Sequence, residues 1–200
     1  MVEYRTTVLD ANSWSHFAKL AEANNGVWGG CWCMWYHRKD GGETPAQKRA
    51  AKERLVREGL AHASLVFDGD KCVGWCQFGS AEELPCIHNA RAYQATNPVL
   101  PEWRITCFFS GKGYRGKGVA FAALKGALDQ IAKLGGGVVE GYPEQTDGRK
   151  ASPAFLFNGS LSTFERLGFE RSRLIGRHKW VVTRRVPQIP AIDAMARRSS

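Results

Sequence analysis

The chain has 200 residues, 44% of them hydrophobic and 11% aromatic, which is enough to bury one substantial core, so we expect one domain over residues 1–186 and a flexible tail over residues 187–200. No stretch approaches the roughly 20 apolar residues that span a bilayer, and the polar first ten residues lack a signal-peptide core, so we expect a cytoplasmic protein without a membrane partner. The net charge of +9 comes from scattered basic residues without a nucleic-acid-binding motif, which argues against a nucleic-acid partner.

The first half of the chain predicts helices, a strand-like segment and a hairpin. Apolar spacing indicates a helix over residues 13–23, and a proline in the first turn with a glycine at the end indicates a second one over residues 45–58. The aromatic run at residues 27–37 is typical of a strand. Residues 63–67 and 72–78 predict a hairpin, because an Asp-Gly-Asp turn joins them.

The second half predicts a parallel strand pair and a closing hairpin. Residues 80–101 are irregular, with a short helix expected near residues 89–94. The elements that follow are a strand over 103–109, a helix over 119–134, a strand over 138–142, a helix over 157–167, and a hairpin of strands 169–173 and 179–185. The strand, helix and strand at its start form a right-handed crossover, which makes those two strands parallel.

A glycine-rich basic turn joins the strand at 103–109 to the helix at 119–134. Its glycines permit sharp turns because they lack a Cβ. The following helix would direct its unpaired first amides and its dipole at the same place, so the turn predicts a phosphate site. The residues are Gly111, Gly113, Gly116 and Gly118, with positive charge from Lys112, Arg115 and Lys117.

Two common phosphate loops do not fit this turn. A Walker loop needs Ser or Thr after Gly-Lys, but Gly118 follows Lys117. The G-x-G-x-x-G pattern of dinucleotide-binding folds occurs, but it lies mid-chain, and Asp129 comes too early to bind a ribose.

The turn resembles the pyrophosphate loop of the GNAT acetyltransferase superfamily, whose signature is [QR]-x-x-G-x-[GA]. Arg115, Gly118 and Ala120 match it. Downstream, F-E-R-L-G-F at residues 164–169 is similar to the family's Y-E-K-x-G-F segment. The resemblance extends over residues 2–186 and implies an α/β fold with a mixed, mostly antiparallel central sheet, a parallel splayed strand pair and flanking helices.

The resemblance implies acetyl-CoA as the acyl donor. Loop amides would hold the pyrophosphate, and backbone at the end of the preceding strand would pair with the pantetheine arm and polarise the acetyl carbonyl. Asn158 resembles a family asparagine that contacts this arm. The predicted cofactor-binding residues are Phe109, Ser110, Gly113, Arg115, Gly116, Lys117, Gly118, Val119, Ala120, Asn158 and Phe164.

The implied reaction is direct acetyl transfer to a primary amine in a ternary complex, which needs a base for the amine proton. We predict Glu140, because some family members carry a catalytic glutamate on this strand, together with Tyr142. Glu102 and His88 are alternatives.

Protonation of the departing thiolate is where the sequence departs from the family. The usual tyrosine is replaced by Phe164, which has no proton to donate. Tyr142, Ser162 or water would substitute, or the thiolate would leave unassisted. The substitution also allows a noncatalytic module that binds acyl-CoA.

The acceptor pocket is predicted to be aromatic, with Trp28, Trp32, Trp35 and Trp75 as its wall, although core packing is the favoured explanation for any single one of them. The acceptor would be a small-molecule or peptide amine, and the protein a monomer or homodimer. An acceptor amine linked to a nucleic acid is a further alternative, which the positive charge suggests.

The six cysteines are expected to be reduced thiols without a metal. Cys31 and Cys33 would share one face of a strand, as would Cys72 and Cys76. Neither pair has the C-x-x-C spacing of zinc sites, so we predict buried core residues.

Overall fold

The computed structural model describes residues 3–37, 42–96, 98–146 and 156–189. Within these residues, seven strands form one sheet in the order β1-β2-β3-β4-β5-β7-β6. The strands are β1 Arg5–Val8, β2 His62–Asp68, β3 Lys71–Ser80, β4 Trp103–Ser110, β5 Gly137–Gly141, β6 Glu170–Leu174 and β7 Trp180–Val186. The helices are α1 Trp14–Glu22, α2 Pro45–Arg57, α3 Ala90–Gln94, α4 Val119–Lys133 and α5 Leu161–Glu165.

The sheet is antiparallel except between β4 and β5, so the predicted mixed sheet is confirmed. These two strands pair over only three positions, from Trp103 opposite Val139 to Ile105 opposite Gly141. Strand β4 then continues to Ser110 without β5 beside it. The parallel strands therefore diverge and leave a gap.

A β-bulge lies where the strands diverge. Gln77 pairs with Cys107 and Phe78 pairs with Ile105, which leaves Thr106 as the extra residue of β4. A bulge bends its strand and increases the local twist. The bend of β4 thus begins at the last residues that pair with β5.

Helix α4 covers one face of the sheet with the apolar side that its sequence predicted. Gly126 allows close contact with β1 and β2, because a Cβ there would lie 2.3 Å from the Oγ atom of Ser64. The opposite face carries α1, α2 and the segment that joins them. The buried residues of α4 are Val119, Ala123, Leu124, Gly126, Ala127, Leu128, Ile131 and Ala132.

The strand predicted at residues 27–37 is wrong, because this segment forms consecutive turns. Every residue from 25 to 30 has a positive φ, including Val27 at 52° and Trp28 at 47°. Left-handed backbone of this kind cannot pair in a sheet. We call residues 25–37 the turn segment. Its aromatic content reflects packing, since Trp32 and Tyr36 are buried against the core.

Because this strand does not form, the prediction that Cys31 and Cys33 share one face of it is also wrong. Cys33 is buried with its sulfur 3.1 Å from that of Cys107, whereas Cys31 is half-buried. The prediction of free, mostly buried thiols agrees with the structure.

Further differences lie at the ends of the chain. Strand β1 was not predicted, and the helix predicted over residues 157–167 is confined to α5. Residues 156–159 instead enter the gap between β4 and β5. The predicted tail falls mainly on residues 190–200, which lie outside the described residues. Over the described ranges, no helix is long and apolar enough to cross a membrane.

Candidate active site

A cavity of about 390 Å³ lies where β4 and β5 diverge. The end of β4, the glycine-rich loop, the start of α4 and the segment before and within α5 enclose it. Its lining residues are Trp28, Phe108, Phe109, Ser110, Tyr114, Arg115, Gly116, Gly118, Val119, Ala120, Phe121, Leu156, Gly159, Ser160, Thr163 and Arg166.

The backbone of the loop requires glycine at three positions. Gly113, Gly116 and Gly118 have φ values of 84°, 73° and 85°. A Cβ at any of them would meet no atom within 4 Å, so each glycine borders open space. The loop therefore combines left-handed turns with room for a ligand to approach the backbone.

Several loop amides have no protein acceptor. Tyr114 N–H donates to Gly111 and Lys117 N–H donates to Tyr114, at 3.0 and 3.3 Å. Among the described residues, the loop amides of Gly113, Arg115, Gly116 and Gly118 have no backbone acceptor. The first amides of α4 are also unpaired, as at any helix start. Together they form a set of donors suited to an anion.

Two arginines add positive charge to the cavity from opposite sides. Arg115 belongs to the loop, and Arg166 lines the far wall with its guanidinium 4.5 Å from the centre of the Phe121 ring. Sequence reasoning missed Arg166, although it lies within the F-E-R-L-G-F segment. The Tyr114 hydroxyl donates to Asp68 at 3.0 Å and ties the loop to the end of β2.

At the end of β4 one amide faces the gap. Gly111 N–H bonds to Val73 of β3, and since backbone direction alternates along a strand, the amides of Phe108 and Ser110 point away from β3. The Phe108 amide donates to Phe157 at 2.7 Å. Ser110 is thus left to face the cavity, whereas Phe109 contributes its ring and directs its backbone at β3.

Asn158 is buried in a polar cluster instead of lining the cavity. Its amide donates to the Tyr36 hydroxyl at 2.7 Å and to the carbonyl of the bulge residue Thr106. Its oxygen accepts from Lys179 at 2.9 Å, and Lys179 pairs with Glu144 at 3.0 Å. Burial lowers the pKa of Lys179, which the Glu144 carboxylate opposes. This cluster fixes residues 156–159 in the gap.

Phe164 is also a core residue, with no exposed surface. Its ring contacts Phe108 and Phe169 edge-on, with centroids 5.8 and 4.9 Å away. It packs so closely on β5 that a Cβ at Gly141 would lie 2.3 Å from the ring. Phe164 therefore forms the floor beneath the cavity.

Solved structures match this arrangement over most of the chain, although no protein-family model and no curated protein matches the sequence. The structure of yncA from Salmonella typhimurium with its cofactor acetyl-CoA has a TM-score of 0.52 and 14% identity, covering 96% of this chain and 98% of that one. The mosquito arylalkylamine N-acetyltransferase like 5b has a TM-score of 0.56 and 11% identity, covering 92% and 100%. An N-acetyltransferase from Staphylococcus aureus has a TM-score of 0.50 and 13% identity, covering 90% and 96%.

The chain has the GNAT fold. Identities of 11 to 14% carry the fold alone. The cavity lies at the splayed strand pair of the GNAT sheet, and the loop that matches the GNAT signature forms one wall of it.

Glu140 and Tyr142, the residues predicted for catalysis in this GNAT fold, are buried beside each other. Glu140 accepts hydrogen bonds from the hydroxyls of Tyr93 at 2.7 Å and Tyr142 at 2.9 Å. Burial, then the negative charge of Glu140, raises the pKa of Tyr142 well above its ordinary value. Neither residue lines the cavity at the gap. Glu140 borders another cavity of about 490 Å³, which residues 98–101 and Arg173 also line.

The two alternative bases, Glu102 and His88, do not line the cavity at the gap either. Glu102 accepts the backbone amide of Val138 at 2.8 Å, which lowers the pKa of its carboxyl group. His88 stacks on Trp35 with ring centroids 3.7 Å apart. Burial and the nearby Lys179 lower the pKa of His88.

The four tryptophans predicted for the acceptor pocket of this GNAT fold divide into two pairs. Trp32 and Trp75 are buried in the core, where Trp75 stacks on Phe109 and Trp32 on Trp14. Trp28 and Trp35 are 39% and 46% exposed. The described parts of the chain contain no group of three His, Cys, Asp or Glu side chains placed to hold a metal ion.

Proposed function

We propose that the protein is an N-acetyltransferase that uses acetyl-CoA and acts on a primary amine. The observation that carries the proposal is the row of unpaired amides, with Arg115 and Arg166, around an open cavity at the splayed strands. The donors suit the pyrophosphate of coenzyme A, and the open space at the three loop glycines lets a ligand approach the backbone. The acetyl-CoA reported as the cofactor of yncA supports this choice.

The loop and the gap would divide the binding of acetyl-CoA. The amides of Gly113, Gly116, Gly118 and Ala120, with the charges of Arg115 and Lys117, would hold the phosphates. Val119 and Phe109 supply apolar contact, and the Ser110 amide is the donor available to the arm or its acetyl carbonyl. When bound, acetyl-CoA supplies the thioester from which an amine takes the acetyl group.

Proton transfer is assigned to the buried carboxylate. Glu140 does not line the cavity, so it would accept the amine proton through water and the hydroxyl of Tyr142 or Tyr93, which already donates to it. Phe164 has no proton to donate, and Ser162 lies on the exposed side of α5. Among the hydroxyl-bearing residues that line the cavity, Ser160 and Thr163 have their oxygens 2.8 Å apart and would be available to the departing sulfur.

The first test is calorimetric titration with acetyl-CoA, with NAD and ATP as controls. We expect binding at micromolar concentration for acetyl-CoA alone. The proposal fails if acetyl-CoA does not bind, or if NAD or ATP binds as tightly.

The second test concerns Glu140. Glu140→Gln keeps the shape and should leave acetyl-CoA affinity unchanged while lowering kcat by about 100-fold, a usual loss for general-base removal. Glu102→Gln is the matched control, since Glu102 borders the same second cavity as Glu140, but its carboxylate accepts a backbone amide instead of the two tyrosine hydroxyls. Equal loss of affinity and turnover in Glu140→Gln would show that the carboxylate is structural.

A noncatalytic module that binds acyl-CoA is the second candidate, favoured by the buried Phe164 at the family's tyrosine position. It predicts acetyl-CoA binding without turnover of any amine in a broad panel. An amine linked to a nucleic acid is a third candidate acceptor. It predicts binding that weakens steeply with salt.

A further inference from the structure

A continuous path of aromatic rings leads from the cavity to the protein surface. Trp28 contacts Phe157 with centroids 6.1 Å apart, and Phe157 contacts His88 at 5.0 Å. His88 lies parallel to Trp35, with an interplanar angle of 3°. We call Trp28, Phe157, His88 and Trp35 the aromatic surface. Its two ends are the exposed tryptophans Trp28 and Trp35, and a contiguous apolar patch of this kind marks a candidate binding surface.

The aromatic surface begins inside the candidate active site. Trp28 lines the cavity, and its ring contacts Phe109 edge-on at 6.5 Å. Phe109 is next to Ser110, whose amide faces the gap. A ligand on the aromatic surface can therefore extend to the end of β4 where the acetyl group is expected.

The backbone that presents Trp28 is strained and firmly held. Trp28 and Val27 adopt left-handed φ values that side chains with a Cβ disfavour. The turn persists because Trp32 N–H bonds to Gly26 at 2.9 Å and Cys31 N–H bonds to Val27 at 2.8 Å. Strain that is held in this way is typical of functional sites. Here it places an exposed tryptophan at the cavity edge.

The far end of the aromatic surface is also fixed. Trp35 stacks on His88, and the next residue, Tyr36, is anchored by Asn158. Burial and the nearby Lys179 lower the pKa of His88, which favours the uncharged ring that stacks on Trp35. The ammonium of Lys179 lies 5.4 Å from the centre of the Phe157 ring, but it is buried and paired with Glu144, so it is not free to bind a phosphate.

We infer that the aromatic surface is the acceptor site and that it takes small aromatic primary amines. This inference rests on the proposed function. The acceptor ring would pack on Phe157 and Trp35, with its amine directed past Trp28 toward the cavity, since aromatic pairs add attraction beyond buried area. In the reaction an N–C bond forms to the acetyl carbonyl carbon and the thioester C–S bond breaks. The amine loses one proton, and the products are an amide and the free thiol of coenzyme A.

The test compares 2-phenylethylamine with 2-cyclohexylethylamine, which have the same charge, chain length and carbon number. We expect kcat/KM for the aromatic amine to be at least about fivefold higher, the size of one or two aromatic contacts. Trp35→Leu should remove this preference and leave acetyl-CoA affinity unchanged, because Trp35 does not line the cavity. Leu174→Ala, at a 53% exposed position on β6, is the control that should keep the preference.

A binding experiment separates this inference from the proposed function. Calorimetric titration of 2-phenylethylamine into protein saturated with coenzyme A needs no turnover, and we expect saturable binding that Trp35→Leu weakens at least about fivefold. Acetyl-CoA binding without any preference for the aromatic amine overturns the inference and leaves the proposed function intact. Turnover confined to peptide or nucleic-acid-linked amines also overturns it. Failure to bind acetyl-CoA overturns both.

Discussion

The two walls of the gap adopt left-handed backbone in opposite ways. The glycine-rich loop places glycine at each of its left-handed positions, Gly113, Gly116 and Gly118, beside open space. The turn segment instead places Val27 and Trp28 in the same conformation. In the loop, the residue type permits the left-handed backbone. In the turn segment, the surrounding packing imposes it.

The conformation of the loop is therefore determined mainly by its own residues, whereas that of the turn segment depends on contacts with the core. The loop needs only its glycines, the Tyr114 contact with Asp68 and the start of α4. The turn segment needs buried partners, such as Asn158 for the hydroxyl of Tyr36 and Lys52 for the ring of His37. We expect changes in the loop to affect ligand binding and changes in the turn segment to affect stability.

The largest effect is expected for Gly118→Trp, which would fill the open space beside the first amides of α4. Acetyl-CoA affinity should fall at least about 100-fold, because phosphate contacts are blocked. Gly59→Trp is the matched control, since Gly59 also has a positive φ of 71° and no atom within 4 Å of a Cβ. Calorimetry should find its affinity within about twofold of wild type. Equal loss in both variants would mean that backbone strain, not the site, governs binding.

Substitutions at the floor of the gap, where Phe164 packs on β5, should change the stability of the protein. In Gly141→Ala the new methyl group would lie 2.3 Å from the Phe164 ring, and we expect a loss of about 1–3 kcal/mol in the free energy of unfolding. The loss should shrink in a Phe164→Leu background, which makes room for the methyl group. Urea denaturation of the four proteins measures this coupling. Additive losses would show that Phe164 does not pack on β5 as described.

The turn segment should lose stability in acid through His37. Burial, then the charge of Lys52, lowers the pKa of His37 to about 2. Below a pH of about 6.5 the unfolded chain binds a proton at this residue and the folded chain does not. The free energy of unfolding therefore decreases as the pH is lowered, by about 2 kcal/mol from pH 7 to pH 5.

His37→Gln keeps an acceptor for Lys52 but does not titrate, so its unfolding free energy should lose about 2 kcal/mol less than wild type over the same range. Urea denaturation at the two pH values provides the measurement. Identical pH dependence would place His37 in contact with solvent.

The smallest effect is expected at Asn25, an exposed residue with a φ of 52°. Asn25→Ala should cost about 1 kcal/mol, since alanine tolerates left-handed backbone poorly, whereas Asn25→Gly should change stability by less than about 0.5 kcal/mol. Thermal unfolding would distinguish them. A neutral alanine would remove the evidence for strain at the start of the turn segment.

The same contrast explains what the sequence could predict. The helix α4, the hairpin of β2 and β3 and the glycine-rich loop follow local rules, and the sequence predicted all three. The turn segment was mistaken for a strand because Trp32 and Tyr36 favour strands by type, while their burial against α1 and β4 decided the matter. Only tertiary contact could reveal this.

Within the candidate site, the sequence indicated the contiguous residues of the loop and missed a distant one. Arg115, Gly118 and Ala120 line one cavity as expected, but Arg166 reaches it from a distant part of the chain. The burial of Asn158 in a polar cluster also depends on Lys179 and Tyr36, which lie far apart in sequence. Their roles in binding stay predictions.

The short junction between β4 and β5 divides the hydrogen-bonded sheet into two groups of strands. Three residue pairs join the four strands on one side to the three on the other, and the gap lies directly beyond them. A ligand that fills the gap contacts the end of β4, the start of α4 and the segment that leads into α5, and it is bound by the folded chain alone. At a concentration 100 times its dissociation constant it adds about 2.7 kcal/mol to the free energy of unfolding. The cofactor would thus serve as a missing section of the sheet, and a thermal-shift screen would report any molecule that takes its place.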